Sequence, residues 1–473
     1  MHCDAHIDLR LMDCVRFLSV NPAPIAADPH ILIQYESHST IALAMLGADH
    51  AITRDEGVLC ALAMDRRAAN HASLRFLKKV TQTMAFARNV LTSAFLVGLL
   101  AVVACATPAR AATTVVEQGY WQTLPQQFNF PQPMDECYSV TVDGMIYVLG
   151  GLDTRNKNGY EPMGAVWSFN PRSGKWAHLK RMPVPTHHFA ITVYRHDIYI
   201  FGGFVAPHGA PGWLPVTNSW RFDPRNDSWH KLAPAPQARG AGVAVTWKNK
   251  MYYLGGAKSA PGARSKVLRF TGQSDQSVGT LESYDPATNT WKTLAPMPTG
   301  RNHFGAAVVD GKIYAIGGRL GSVFIVRSTN TNLVEQYNIA RNRWETSTPM
   351  PTARSGISVN VYKGLIFVGG GEYQSPKIVA AYRAFAVFDP ATGSWGSLPQ
   401  MPVPRHGFQG AVVGSDLYYI GGDVQSDFEG YFIPVPQLDV YHFPACEGSG
   451  RALVLPAGAC LATGAHHPAM PAN

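Results

Sequence analysis

Residues 279–318 read GTLESYDPATNTWKTLAPMPTGRNHFGAAVVDGKIYAIGG, and this stretch decides the fold. Tyr284-Asp285-Pro286 ends one extended run and turns into a second that holds Trp291. After Arg301 comes the apolar run Phe304–Val309, then Asp310-Gly311, then Ile313–Ile316 leading into Gly317-Gly318. Asp-Gly between two apolar runs signals a hairpin, because a two-residue turn needs positive φ. The glycine pair recurs at Gly150-Gly151, Gly202-Gly203, Gly255-Gly256, Gly370-Gly371 and Gly421-Gly422, giving successive steps of 52, 53, 62, 53 and 51 residues. Trp176, Trp229, Trp291, Trp344 and Trp395 each stand 26 residues before a pair. A fixed grammar at such a period marks a repeat array. Each unit is too small to bury its apolar face alone and must stack on its neighbours.

Four strands per unit and six units predict an all-β, six-bladed propeller of antiparallel strands over residues 112–443. The glycines let a neighbouring backbone or ring approach where a Cβ would clash. The recurrent tryptophan is the ring expected there. The sixth unit lacks a tryptophan strand, while an orphan, Tyr120-Trp121-Gln122-Thr123-Leu124-Pro125, precedes the first. The N-terminal strand is therefore expected to complete the sixth blade and remove an exposed edge.

The double glycine with its spaced tyrosine and tryptophan resembles the kelch repeat, in all six units from about residue 118 to 443. The chain looks like an exported bacterial kelch-repeat protein, and the resemblance implies four-stranded blades around a central channel.

Export is read from the segment before the repeats. Arg88, the apolar run Val90–Ala104 and Ala109-Arg110-Ala111 describe a secretory signal over 84–111. The run is short for a membrane span, which needs about 20 apolar residues. Val102-Val103-Ala104-Cys105 also resembles a lipoprotein box, with Cys105 as the lipid-bearing residue. Cleavage after Ala111 into the periplasm or medium is favoured, and any membrane attachment is expected only through Cys105. Residues 1–83 read as mis-assigned, unstructured upstream translation, with Met84 as the start. The tail 444–473 is rich in Ala, Gly and Pro and reads as irregular; in an oxidising compartment Cys446 and Cys460 are a candidate disulfide. Cys137 opens a strand and reads as buried.

The net charge of +8 is spread without a basic run, which excludes nucleic-acid binding as a class. No metal-type Cys/His spacing is present, and neither metal nor cofactor is expected. A monomer is expected.

Candidate site residues follow from the repeat alignment. The residue 16 before each pair is Met134, Thr186, Arg239, Arg301, Arg354 or Arg405; it is expected to face the residue after the pair, namely Leu152, Phe204, Ala257, Arg319, Glu372 or Asp423. Both sets would rim one channel mouth. Beside them lie Asp135, Glu136, His187, His188, Asn302, His303 and His406. Arginine offers a rigid fork of donors for carboxylate or phosphate. Arg301, Asn302, His303, Arg319, Arg354, Glu372, Arg405, His406 and Asp423 therefore form the predicted ligand set. Glu372, His303 and His406 are the proton-transfer candidates, and His187 reads as packed. Against this stands the plain structural role of an arginine tying blades together through carbonyls. The insertions 204–216 and 257–280 follow glycine pairs and should emerge on the same face.

Two function classes follow. One is a binding module for a carbohydrate, an anionic small molecule or an envelope protein. The other, implied by secreted kelch relatives, is a carbohydrate-active enzyme of the sugar-acid mutarotase or epimerase type. Galactose-oxidase copper chemistry is rejected, because its tyrosine, histidine and cross-linked cysteine ligands cannot be assigned. Nothing resembles the dimerisation domain of kelch ubiquitin-ligase adaptors.

Overall fold

Period-two apolar alternation, punctuated by the turns above, forms six blade sheets, each built on four antiparallel strands. Those of blades one and five each gain a fifth short strand, which in blade one is Phe408–Gln409, pairing parallel with Asp135–Val142. The computed structural model describes residues 119–153, 161–207, 212–269, 275–375, 377–426 and 433–444. Blade four shows the pattern: Gly305–Val309 innermost, then Lys312–Ile316, Val334–Asn338 and, outermost, Arg343–Ser347. The other innermost strands are Asp135–Val142, Ala190–Tyr194, Val243–Trp247, Ser355–Tyr362 and Ala411–Val413. Adjacent blades bury their facing side chains in six successive cores. One core joins Ile313 and Tyr337 of blade four to Leu254 and Leu281 of blade three. Another joins Val148 and Phe169 of blade one to Ile420 and Val440 of blade six, so the circuit closes. The chain is a β-propeller.

Closure uses the N-terminal strand. Tyr120–Thr123 pairs antiparallel with Asp439–His442, Trp121 opposite Tyr441, as the outermost strand of blade six. Trp121 is half-buried against Phe385, Tyr419 and Tyr441. Each outer-strand tryptophan donates its indole N–H backwards to a carbonyl beyond the previous blade's outer strand. Trp229 donates to Lys180, Trp291 to Ala233, Trp344 to Ala295, Trp395 to Thr348 and Trp176 to Phe128, at 2.8–3.1 Å.

The tryptophans therefore do not fill the space beside the glycine pairs, contrary to the sequence expectation. They sit on the outermost strands, whereas each pair ends a second strand against the next blade's innermost segment. A Cβ on Gly255 would lie 2.5 Å from the Phe304 ring and 2.8 Å from the Arg301 carbonyl. Both glycines of that pair are left-handed, φ 57° and 103°. This conformation lets Gly256 N–H reach the Arg301 carbonyl at 2.9 Å, and the same staple recurs from Gly318 to Arg354, Gly371 to Arg405 and Gly422 to Met134.

Cys137 is buried as expected, and burial pushes its thiol up to about 12. Cys105, Cys446, Cys460, the signal 84–111 and the segments 1–83 and 445–473 lie outside the described residues.

Candidate functional site at the closed end of the channel

The predicted rim arginines turn inward into their own blades. Arg301 is fully buried; its guanidinium donates to the carbonyls of Gly317 (3.2 Å) and Leu333 (2.8 Å) and to the Glu335 carboxylate. Arg405 repeats this with Gly421, Gln437 and Asp439, and Arg239 with Gly255 and Glu282. Arg354 donates to Gly370 and Ala384 but has Ala386 where the other three blades place the acid. Burial lowers its guanidinium to about 10. These guanidiniums occupy separate blades and share no volume, which corrects the expected convergence of Arg301, Arg354 and Arg405.

The physical reason is a one-residue difference in register. The residue 15 before each pair faces the residue after it: Asn302 opposite Arg319, Ser355 opposite Glu372, His406 opposite Asp423. A slip of one residue moves a side chain to the other face.

The remaining predicted residues are buried and engaged. Glu372 accepts from Arg319 (2.9 Å) and Ser426 (2.8 Å), with His406 Nε2 at 3.7 Å. Asp423 accepts the backbone N–H groups of Gln425 (3.0 Å) and Ile433. Asn302 donates to Ser277 Oγ (2.7 Å) and the Ser322 carbonyl (3.0 Å).

The following position, 14 before each pair, carries the geometry that repeat spacing alone does not reveal. Glu136, His188, Ala241, His303, Gly356 and Gly407 are all left-handed, with φ between 50° and 64°. Their turned backbones bond around the axis: Ala241 N–H to His188 O (2.7 Å), His303 to Ala241 (3.0 Å), Gly356 to His303 (2.8 Å) and Gly407 to Gly356 (3.2 Å). This ring narrows the channel.

The two insertions finish the closure. Phe204–Val205 pairs with Leu214–Pro215, and Ala257–Ser259 with Asp275–Ser277. Trp213 and Leu268 exchange backbone hydrogen bonds. Phe204, Trp213, Leu268, Val323 and Phe324 form a buried apolar cap on Ala241, with the Trp213 ring 4.8 Å from that of His188. The predicted mouth is thus a closed end.

Inside it lies a cavity of about 330 Å³, walled by residues such as Val140, Ile191 and Val243 and floored by Glu136, His188 and His303. Glu136 Oε1 is 3.1 Å from His188 Nε2, and Oε2 accepts from Tyr138 at 2.6 Å. Burial alone would raise the Glu136 carboxyl, but His188, His406 and Tyr138 together hold it down at about 2. Burial, Arg319, His188 and His406 keep His303 far below the ordinary imidazole range, so it is neutral. His187, read as packed, is indeed buried against Trp213, and burial with His188 lowers it likewise. Of the predicted set only His303 reaches this floor. Glu136 and His188, its partners there, were visible in sequence only as polar neighbours.

The family model of the KLHDC2/KLHL20/DRC7 Kelch-repeats domain matches residues 110–266 and 259–422. The chain belongs to the kelch-repeat family. Among curated kelch relatives it is 28% identical to Kelch-like protein terF of Aspergillus terreus over 312 residues, 65% of either chain. It is 26% identical to Kelch-like protein 36 of Bos taurus over 229 residues, 48% of this chain and 33% of that one. With Kelch-like protein 38 of Homo sapiens the identity is 24%, over 59% of this chain and 42% of the relative. The kelch propeller thus spans less than two thirds of each of these relatives. Its arginine position now has a reason internal to the repeat. Where blades one and two carry Met134 and Thr186 instead, Trp167 and Trp220 replace the paired acid, so cation and anion are lost together.

Proposed function

We propose that this kelch propeller is a protein-binding module that engages its partner through the face bearing the loops after the glycine pairs. The observation carrying this reading is the placement of exposed apolar side chains. Val326, Tyr373, Ile378 and Ile433 are four of the six exposed large hydrophobics among the described residues. All four follow the glycine pairs of consecutive blades four, five and six. Monomeric surfaces seldom gather such groups without a partner to cover them, and membership of the kelch family is consistent with that role. Export of the chain, from the 84–111 segment, belongs to the same proposal.

The test is a photo-crosslinking residue at position 378, with one at Lys175 on an outer strand as control, in the producing cell. A discrete adduct from 378 alone, abolished by Val326→Asp, is expected. Equal adducts from both positions, or none from 378, overturn the assignment.

A second reading, a small polyhydroxylated ligand such as a carbohydrate in the channel, is supported by the cavity above its polar floor. The arginines that would hold a sugar acid are engaged within their blades, so a neutral ligand suits the floor better than an anion. Glu136 and His188 would then be the groups placed for proton transfer in the mutarotase-type alternative. Glu372 already has Arg319 and Ser426 as partners.

A further inference from the structure

We propose that Glu136, His188 and His303 form a binding site for one divalent cation, of the zinc class, at the closed end of the channel. The three residues come from blades one, two and four and hold equivalent positions in their repeats. Each offers one ligand atom, and these atoms lie within 4.8 Å of one another.

The decisive observation is the state of His303. Asn302 gives both of its amide hydrogens to acceptors, Ser277 Oγ and the Ser322 carbonyl, which fixes its orientation. Its Oδ1, 2.5 Å from His303 Nδ1, must therefore accept, so Nδ1 carries the proton. His303 Nε2 is left as a bare lone pair, buried and without a hydrogen-bond partner. An unsatisfied buried nitrogen is costly, and a cation is the simplest group to satisfy it.

The other two donors face each other beside it, His188 Nε2 at 3.1 Å from Glu136 Oε1. His188 Nδ1 lies 2.6 Å from His187 Nδ1. When His188 donates there, its Nε2 is free to coordinate. Glu136 spends Oε2 on Tyr138, leaving Oε1 beside His188 Nε2. In each histidine the distal nitrogen is oriented by the preceding residue, His187 or Asn302, as metal-bound imidazoles require of their outer partners. Two imidazoles and one carboxylate suit zinc or a similar borderline ion, and three protein ligands leave a coordination position toward the channel. Asp135 and His406 form a second group with Glu136 and lie close enough to tune the first.

The protein is stripped with chelator and titrated with zinc, then with cobalt as a spectroscopic stand-in. One zinc per chain should survive gel filtration, and cobalt should give visible bands of a low-symmetry nitrogen–oxygen site. Glu136→Gln and His303→Ala should each weaken zinc binding by more than tenfold, and Asn302→Ala by about 10–100-fold. His196→Ala, an exposed histidine paired with Asp143, should leave binding unchanged. Substoichiometric zinc in the wild type or no cobalt bands overturns the site. So does undiminished binding in Glu136→Gln, or a loss in His196→Ala equal to that in His303→Ala. The wild-type cobalt spectrum decides even where a variant folds poorly.

Discussion

The indole N–H of Trp121 donates to the carbonyl of Pro399 at 2.9 Å, joining residues 278 apart in sequence. Five other tryptophans make the equivalent bond between neighbouring blades, and Trp121 makes the one that ties the N-terminal strand, in blade six, to blade five. Removing its ring deletes apolar packing and this bond, so Trp121→Ala should cost about 3 kcal/mol. Deleting 118–125 should expose the edge of Asp439–His442 and cause aggregation. Light scattering and thermal melts check both; a deletion variant that stays monomeric with unchanged melting contradicts the closure.

The four buried arginines that stand 16 residues before a glycine pair should differ by what they leave behind. Arg301→Ala strands the buried Glu335 carboxylate and should destabilise by about 3–5 kcal/mol. Arg354→Met strands only carbonyl groups and should cost about 1–3 kcal/mol. Urea midpoints measure both, and equal losses would refute the distinction. Neither change should alter partner binding once folding is allowed for.

Alkali should weaken the fold in a defined window. Burial raises Tyr253, Tyr284, Tyr337 and Tyr418 to about 12. In the unfolded chain tyrosine ionises near its ordinary value of about 10. Between those pH values the unfolded state holds fewer protons, so stability falls as pH rises from about 10 to about 12. Phenolate absorbance should show a delayed class of tyrosines. Ionisation of every tyrosine in one step near 10, with the fold intact, would be the contrary result.

The export proposal has its own measurement. Intact mass of the secreted product should place its first residue near Ala112, or at Cys105 with a lipid attached. A product that retains residues 1–83 would refute the reading.

The repeat was legible because each blade answers the same local demands. Asp310-Gly311 can only turn tightly, Ile313–Ile316 can only be half of a buried pair, and Gly317-Gly318 must admit the next blade. Even the closing strand was readable, since Tyr120–Pro125 supplies the tryptophan strand missing from the sixth unit. The site was not legible in the same way. The six left-handed residues, one per blade at the same repeat position, depend on the neighbouring blades, whose carbonyls the N–H groups of Ala241, His303, Gly356 and Gly407 reach. That turn shifts the facing register by one residue, sending Arg301 into its blade and His303 to the channel floor. Which end is closed depends on Trp213, Leu268 and Phe324, which come from three separate loops and meet only after the ring forms. Sequence alone determined the blades, because their chemistry is local and repeated. Tertiary structure decided where Glu136, His188 and His303 meet, because their approach is set by the closure of the ring.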